Sequence, residues 1–346
     1  MKILLFASAL SIVGSCATIS HREKIQEITD NITIEQPNKI VAYANTITSN
    51  ELEKHLNIFS SDVFLGRKVG SPGQKLAVNY LKNYYINENI SSPFDDNNYF
   101  QIVPKSFLGE KYNDSENVLA FIKGSEKPNE IIIISAHLDH LGVDKNGNIN
   151  NGADDDGSGT VALLEMAQAF KTAKDEGFGP KRSILFLHVT AEEIGLQGSR
   201  YYIENPVFPI KNTIADLNID MIGRSDKNHK DIDYIYLIGS DRLSTELHYI
   251  SEAVNAKFFN LELNYKYNDK SERNRYYYRS DHYNFAKKGI PVIFYFNGEH
   301  EDYHQPTDTP DKINYPLLEK RTRLIFATAW QIANQDERIV VDKALN

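Results

Sequence analysis

Residues 131–140 read I-I-I-I-S-A-H-L-D-H, four isoleucines that lead directly into polar side chains. The β-branched run predicts a strand over residues 131–135, so that His137 and Asp139 follow its carboxyl end. A second apolar stretch, S-I-L-F-L-H-V-T at residues 183–190, leads in the same way into Glu192 and Glu193. Ligands of open α/β sheets bind where the strands end. These two junctions are therefore the first candidates for a functional site.

Strands and helices alternate along the rest of the chain. Strands are predicted at residues 117–122, 213–220, 232–238 and 291–296, and helices at residues 48–60, 71–86, 157–171, 196–204, 243–256 and 316–334. This alternation predicts an α/β protein with three α/β/α layers and a mixed, mostly parallel central sheet. The polar, tyrosine-rich residues 259–279 are predicted to form an inserted loop near the site.

Composition narrows the class of function. The chain has 346 residues, a net charge of -9 and 41% hydrophobic residues, which is ordinary for a globular protein with a substantial core. The acidic balance argues against nucleic acid as a partner, because phosphate binding needs a basic face. A single cysteine excludes an intrachain disulfide and a cysteine-ligated zinc site. Any metal must therefore be held by His, Asp and Glu.

The amino terminus has the form of an export signal. Lys2 precedes an apolar run that ends in V-G-S-C, with Cys16 as the last residue. This ending resembles a bacterial lipobox, which implies a lipid on Cys16 and a cell-envelope location; the alternative is plain secretion. The predicted organisation is a signal peptide over residues 1–15, a lipid-attached tether with a first helix over 16–45, and a catalytic domain over 46–346. Without residues 1–15 the net charge becomes -10, because only Lys2 is lost.

Three more acidic or histidine positions fall at element edges. Residues 151–159 read N-G-A-D-D-D-G-S-G, Asp220 ends an apolar strand, and His304 lies in a loop after the strand at 291–296. Each of the five groups also has an ordinary explanation. Asp156, for example, can cap a helix, and a strand-end histidine such as His137 beside Asp139 is often structural. Five such groups at the edges of one sheet fit a metal site better. Imidazole and carboxylate ligands suit zinc, and a shared carboxylate suits two metals.

The order of these motifs resembles the di-zinc exopeptidases, the family of secreted bacterial leucine aminopeptidases, glutamate carboxypeptidase II and glutaminyl cyclase. The similarity covers residues 50–335, and further matching segments are F-L-G-R at 64–67, G-S-P-G at 70–73 and R-S-D-H at 279–282. It implies a phosphorylase/hydrolase-like zinc exopeptidase fold and two Zn²⁺ ions per chain. By resemblance Asp155 bridges the metals, His137 and Asp220 complete one site, and Glu193 and His304 complete the other.

The resemblance also assigns three residues that do not bind metal. Glu192 corresponds to the general base, Asp139 to the partner that orients His137, and Tyr277 to a tyrosine that steadies the oxyanion. It further implies a cis peptide bond between Asp155 and Asp156. The expected activity is hydrolysis of a terminal peptide bond by an aminopeptidase.

Several alternatives stay open at this point. A carboxypeptidase or a glutaminyl cyclase-like transferase could use the same fold, and a binding lipoprotein could use a degenerate peptidase scaffold. A complete ligand set with Glu192 argues against the last. A serine hydrolase is disfavoured, because Ser158 lies in D-G-S-G and not in G-x-S-x-G. The expected partners are a peptide substrate and, through Cys16, a membrane; the sequence does not predict an oligomeric state.

Overall fold

The computed structural model describes residues 21–94, 97–229 and 232–344. Its centre is an eight-stranded sheet in the order β1-β2-β6-β3-β7-β10-β8-β9, and β4 and β5 form a separate hairpin. The strands are β1 Phe100–Val103, β2 Ser115–Ile122, β3 Lys127–His137, β4 Gly142–Val143, β5 Ile149–Asn150, β6 Arg182–Val189, β7 Thr213–Ile219, β8 Tyr234–Ile238, β9 Glu262–Asn264 and β10 Val292–Phe296.

The helices lie on both faces of this sheet. They are α1 His21–Asn31, α2 Pro37–Ala44, α3 Ser49–Phe59, α4 Pro72–Asn87, α5 Lys105–Leu108, α6 Gly159–Asp175, α7 Gln197–Glu204, α8 Thr245–Phe258, α9 His282–Ala286 and α10 Tyr315–Asn334. Among the residues described, none of these helices is both long and apolar enough to cross a lipid bilayer.

The isoleucine run of β3 explains the layering. Ile132 and Ile134 enter the larger core, which contains side chains of α3, α6 and α10, whereas Ile131 and Ile133 enter the second core with side chains of α7 and α9. Successive side chains of a strand point to opposite faces, so an unbroken apolar run requires cover on both. The predicted three-layer α/β fold is confirmed.

Four neighbouring parallel strands bring the candidate residues to one edge. β6, β3, β7 and β10 run parallel in adjacent positions, so their carboxyl ends meet. β3 ends at His137, Asp220 follows β7, and the glutamates follow β6 after a short turn. Within the described part of this sheet, β1–β2, β2–β6 and β10–β8 pair antiparallel, which makes the sheet mixed, as predicted.

The amino-terminal segment, residues 16–45, is predicted to contain a tether and a first helix. Within the described part of residues 16–45 there are two helices, α1 and α2, and Ile40 and Tyr43 of α2 are buried in the larger core. The predicted signal peptide and Cys16 lie outside the described residues.

Candidate metal centre

Asp155 lies at the middle of the site, and its two carboxylate oxygens face different histidines. Oδ1 lies 3.1 Å from Nε2 of His137, and Oδ2 lies 3.1 Å from Nε2 of His304. Nε2 of His137 is also 3.5 Å from Oδ1 of Asp220, and Nε2 of His304 is 3.2 Å from Oε2 of Glu193. The structure therefore brings all five predicted metal ligands into one cluster, with Asp155 common to both halves.

Backbone geometry turns Asp155 into this position. The Asp155–Asp156 peptide bond is cis, as the resemblance implies. The Asp308 carboxylate accepts hydrogen bonds from the backbone N–H groups of Asp154 and Asp155. Asp156 accepts a hydrogen bond of 2.9 Å from the N–H of Gly159, the first residue of α6, although the N-cap position itself is Ser158, and it also accepts from the N–H groups of His137 and Met221. Asp156 thus connects the loop to β3 and to the segment that follows β7.

A tight turn lets two adjacent glutamates reach the same cleft. The carbonyl of Glu192 accepts hydrogen bonds from the N–H groups of Gly195 and Leu196, and Gly195 has a φ of 99°. Ala191, just before the glutamates, also has a left-handed φ of 59°. Met221 and His304 have the same conformation, with φ of 60° and 58°. Left-handed backbone at non-glycine residues concentrates around functional sites.

Asp139 acts on His137 differently from the prediction. The backbone carbonyl of Asp139, not its carboxylate, lies 3.1 Å from Nδ1 of His137, and the nearest carboxylate oxygen is 4.0 Å away. Donation from Nδ1 leaves Nε2 unprotonated and free to bind a metal. The Asp139 carboxylate instead accepts a hydrogen bond from the backbone N–H of Glu192. Asp139 therefore links the His137 strand to the glutamate turn.

The three adjacent tyrosines are separated by the fold. Tyr276 lines the cleft, whereas Tyr277 packs against the guanidinium of Arg242 and the ring of His282. Tyr303 also lines the cleft and stacks on His304, with ring centroids 3.9 Å apart. Tyr276, and not the predicted Tyr277, therefore provides a tyrosine hydroxyl in the cleft lining. Tyr303 provides a second hydroxyl there, which the sequence did not predict.

Sequence reasoning also missed His140. Its Nδ1 lies 2.7 Å from Oε1 of Glu193 and 3.8 Å from Oδ2 of Asp155, and its ring is buried. The available signal was its position, three residues after His137 in the same strand-end segment. Because residues that leave a strand have no fixed direction, the sequence could not place this ring at the site.

Electrostatics favour a bound cation here. Burial alone would raise the pKa of Asp155, but His140, His137 and His304 hold that pKa well below its ordinary range. Burial opposes protonation of His137 and His304, yet the carboxylates outweigh it and raise both pKa values, that of His304 to about 10. Burial raises the pKa of Glu192 well above its ordinary value. So many buried carboxylates around paired imidazoles form a site for positive charge.

The donor set fits zinc. Nitrogen and oxygen donors form two groups that share Asp155, one of His137, Asp155 and Asp220 and one of His140, Asp155 and Glu193. Buried atoms in the second group, Oδ2 of Asp155 and Oε1 of Glu193, have no hydrogen-bond partner among the residues described. Zinc binds His nitrogen and carboxylate oxygen at close range, so it would satisfy these atoms.

A cluster of imidazoles and carboxylates around one shared carboxylate, at the carboxyl edge of a mostly parallel α/β sheet, is the kind of site that a metal-dependent peptidase uses. Comparison of the sequence with known families agrees, since residues 117–329 match peptidase family M28. That match spans more than half of the chain, and the chain belongs to this zinc-dependent peptidase family.

Two individual relatives share 25% and 34% sequence identity with parts of the chain. The chain is 25% identical over 237 residues to aminopeptidase YwaD of Bacillus subtilis, which covers 65% of this chain and 46% of that protein. It is 34% identical over 117 residues to the probable glutamate carboxypeptidase LAMP1 of Arabidopsis thaliana, covering 33% and 16%. The chain thus spans less than half the length of these relatives.

The crystal structure of the LapA aminopeptidase of Legionella pneumophila superposes with a TM-score of 0.69 at 20% identity, covering 97% of this chain and 81% of that one, which supports the fold.

Proposed function

We propose that this chain is a zinc exopeptidase that removes amino-terminal residues from peptides and holds two Zn²⁺ ions. The observation that carries the proposal is the position of Asp155, whose two oxygens each lie 3.1 Å from a different imidazole, beside Glu192 in the same cleft. One metal would be held by His137, Asp155 and Asp220, and the other by Asp155, Glu193 and His304. A shared carboxylate is the usual link of a two-metal centre.

The chemistry requires a water molecule, a base and a polarised carbonyl. Bound zinc supplies the positive charge that acidifies water and polarises the scissile carbonyl. The Glu192 carboxylate takes a proton from the attacking water while the new C–O bond forms. When the C–N bond breaks, Glu192 returns that proton to the leaving amine nitrogen. The hydroxyl of Tyr276 is the cleft group that replaces Tyr277 as the candidate donor to the oxyanion.

The charges around the cleft favour an aminopeptidase over a carboxypeptidase. Outside the ligand set, the ionisable side chains that the structure places in the cleft lining include Glu192, Glu299 and Arg279. Arg279 is the group that could bind a terminal carboxylate, but Nη2 of Arg279 already lies 3.0 Å from Oε1 of Glu299. Among the described residues of the cleft lining, the guanidinium of Arg279 is thus already paired with a carboxylate, which disfavours capture of a terminal carboxylate and favours a substrate with a free amino terminus.

A substrate panel separates the candidate activities. Purified protein loaded with zinc is assayed with free aminoacyl arylamides, the same arylamides acetylated on nitrogen, peptides with a free carboxyl-terminal glutamate, and peptides that begin with glutamine. We expect hydrolysis of the free aminoacyl arylamides and of the first peptide bond of the peptides with a free amino terminus, and no cleavage of the acetylated arylamides. Release of carboxyl-terminal glutamate would indicate a carboxypeptidase, and ammonia release from the glutamine peptides would indicate a cyclase; either result, without aminoacyl hydrolysis, contradicts the proposal.

The cell-envelope location is a further part of the proposal. The lipobox-like V-G-S-C that ends at Cys16 supports lipid attachment after export, and the single cysteine supports it because a folded-domain disulfide is impossible. A lipid anchor would hold the peptidase at a membrane surface, with peptides as its substrates.

A further inference from the structure

His140 occupies a site that is shaped for its ring. The residue is 1% exposed, and its backbone N–H lies 3.3 Å from the carbonyl oxygen of Arg67. Gly152 lies against the imidazole, so that a Cβ at Gly152 would come within 2.5 Å of Cδ2 and 2.6 Å of Cγ of His140. Gly152 also has a left-handed φ of 55°, which glycine tolerates best. The chain therefore leaves room for the ring and holds it beside Glu193 and Asp155.

Three buried atoms meet there without hydrogen bonds. Nδ1 of His140 and Oε1 of Glu193 are 2.7 Å apart, yet they are not aligned as a hydrogen bond. Oδ2 of Asp155, which is 3.8 Å from Nδ1 of His140, is unpartnered as well within the described chain. An unsatisfied buried polar atom costs about 1–3 kcal/mol, so three at one point call for a missing partner. A single cation between them would satisfy all three.

We propose that His140 is a fourth protein ligand of the metal that Asp155, Glu193 and His304 hold. The proposal rests on the zinc centre of the proposed function and extends it by one residue. The two halves of the centre then differ, because the group around His137 offers three protein ligands, His137, Asp155 and Asp220.

Because the two metal positions would have different numbers of protein ligands, they are expected to have different roles. Structural zinc sites have four protein ligands, whereas catalytic sites keep a position free for water or substrate. The position at His140 is accordingly the closed one, and it fills first when zinc is added. The position at His137 keeps its open side towards the cleft, where Glu192 lies. Zinc is therefore expected to bind in two steps of unequal affinity.

The rival interpretation is that His140 only donates a hydrogen bond. Two substitutions that have the same shape as each other, His140→Asp and His140→Asn, distinguish a metal ligand from a hydrogen-bond donor. In His140→Asp a charged oxygen replaces Nδ1 at the same distance from the backbone, so a ligand is kept but no proton can be donated. In His140→Asn the amide can donate a hydrogen bond to Glu193 but is a poor ligand. As a control, His188→Asn removes a buried imidazole that contacts Tyr85 on a different part of the sheet.

The measurement is zinc titration of the metal-free full chain against a chelating indicator. We expect wild type, His140→Asp and the His188→Asn control to show a tight and a weaker step. In His140→Asn the tight step should weaken by more than about 100-fold, beyond the 10–100-fold typical of residues that only orient a ligand. Normal binding in His140→Asn with weak binding in His140→Asp would show that His140 is a hydrogen-bond donor and overturn the proposal.

A second measurement counts the histidines directly. In protein loaded with Co²⁺, each ligating imidazole gives one strongly shifted, exchangeable N–H proton resonance. Three are expected in wild type and two in His140→Asn, whereas two in both proteins would contradict the fourth ligand. This failure is distinct from failure of the proposed function, which would appear as a wild-type protein that binds no metal or hydrolyses no aminoacyl substrate.

Discussion

Glu192 and Glu193 are adjacent in sequence, but their side chains meet different partners in the cleft. Oε2 of Glu193 is 3.2 Å from His304, whereas Glu192 lines the cleft and donates its backbone N–H to Asp139. We expect Glu192→Gln to bind zinc normally and to lose about 10²–10⁴-fold in turnover, because the amide cannot accept a proton. Glu193→Gln should lower the zinc content instead, since a neutral amide is a poor ligand.

Elemental analysis beside steady-state kinetics on both variants provides the check. Each variant is the control for the other, because both lose one negative charge at neighbouring positions. Loss of zinc in Glu192→Gln with full zinc in Glu193→Gln would reverse the assigned roles. Full activity with full zinc in both would contradict the proposed mechanism.

Glu165 in α6 is a buried carboxyl away from the metal centre. Burial, together with Glu51 and Glu88, raises its pKa from 4.5 to about 8, while Lys54 opposes the shift and His55 lies 3.5 Å away. A carboxyl whose pKa is raised on folding binds a proton in the folded state, so wild type loses stability as pH rises from about 4.5 to about 8. Glu165→Gln should remove this loss.

The measurement is urea unfolding of both proteins at pH 5, 6, 7 and 8. The stability of Glu165→Gln relative to wild type should increase across this range by on the order of 2–4 kcal/mol. The exposed Glu337→Gln, which is not part of this cluster, should show no such trend. A difference between Glu165→Gln and wild type that stays constant with pH would mean that Glu165 is ionised in the folded protein.

At the scale of elements, the loop that carries Asp155 is held by one buried arginine. Arg67 donates from Nε to the carbonyl of Leu138, from Nη1 to those of Phe59 and Asn151, and from Nη2 to that of Gly152. These carbonyls belong to α3 and to the segments that follow β3 and β5. The fork of donors on one guanidinium fixes three chain segments relative to each other.

We expect Arg67→Lys to destabilise the fold by at least about 2–4 kcal/mol, because one ammonium cannot reach all four carbonyls and leaves buried acceptors without donors. It should also weaken zinc binding, since the loop would no longer hold Asp155 opposite His137 and His304. Thermal unfolding and zinc titration test both effects, with the exposed Arg338→Lys as control. If Arg67→Lys is less stable but binds zinc with unchanged affinity, Arg67 stabilises the fold without positioning the metal ligands.

The same elements show how far the sequence leads. The apolar runs predicted β2, β3, β6, β7, β8 and β10. Four of the five predicted ligands lie at the end of β3 or in the segments after β6, β7 and β10, and the fifth, Asp155, follows the short hairpin strand β5. Strand order was not predictable, because it depends on contacts between distant segments, and the short edge strand β1 carries no strong pattern. Tyr276 and Tyr277 could not be distinguished, since adjacent side chains of a 3₁₀ turn diverge in directions set by surrounding packing.

At the scale of the whole molecule, the first prediction concerns location. Cys16→Ser should prevent lipid attachment, so that the protein is released in soluble form or keeps an uncleaved signal. Detergent phase separation of cells that express each form is the measurement, with wild type expected in the detergent phase. A wild-type protein that enters the aqueous phase as readily as Cys16→Ser would rule out the lipid anchor.

A metal ion bound at this centre would also stabilise the entire fold. Its candidate ligands come from the end of β3 and from segments after β5, β6, β7 and β10, so two bound ions that share Asp155 would join most of the sheet's carboxyl edge. Asp139, Asp154, Asp155 and Asp156 are all buried there. An ion that binds only the folded state stabilises it by about 2.7 kcal/mol when its free concentration is 100 times its dissociation constant.

Chelation of zinc should therefore lower the melting temperature of wild type by several degrees, and added zinc should restore it. In Asp155→Asn both positions lose the ligand that they share, so the melting temperature should be nearly independent of zinc and chelator. Scanning calorimetry of both proteins, with and without a chelator, measures the difference. Weak zinc binding to histidines of the unfolded chain would affect both proteins equally. A difference between the two proteins in how far chelation lowers the melting temperature therefore reports on zinc bound at the metal centre. Equal sensitivity to chelation in wild type and Asp155→Asn would place the stabilising ion elsewhere.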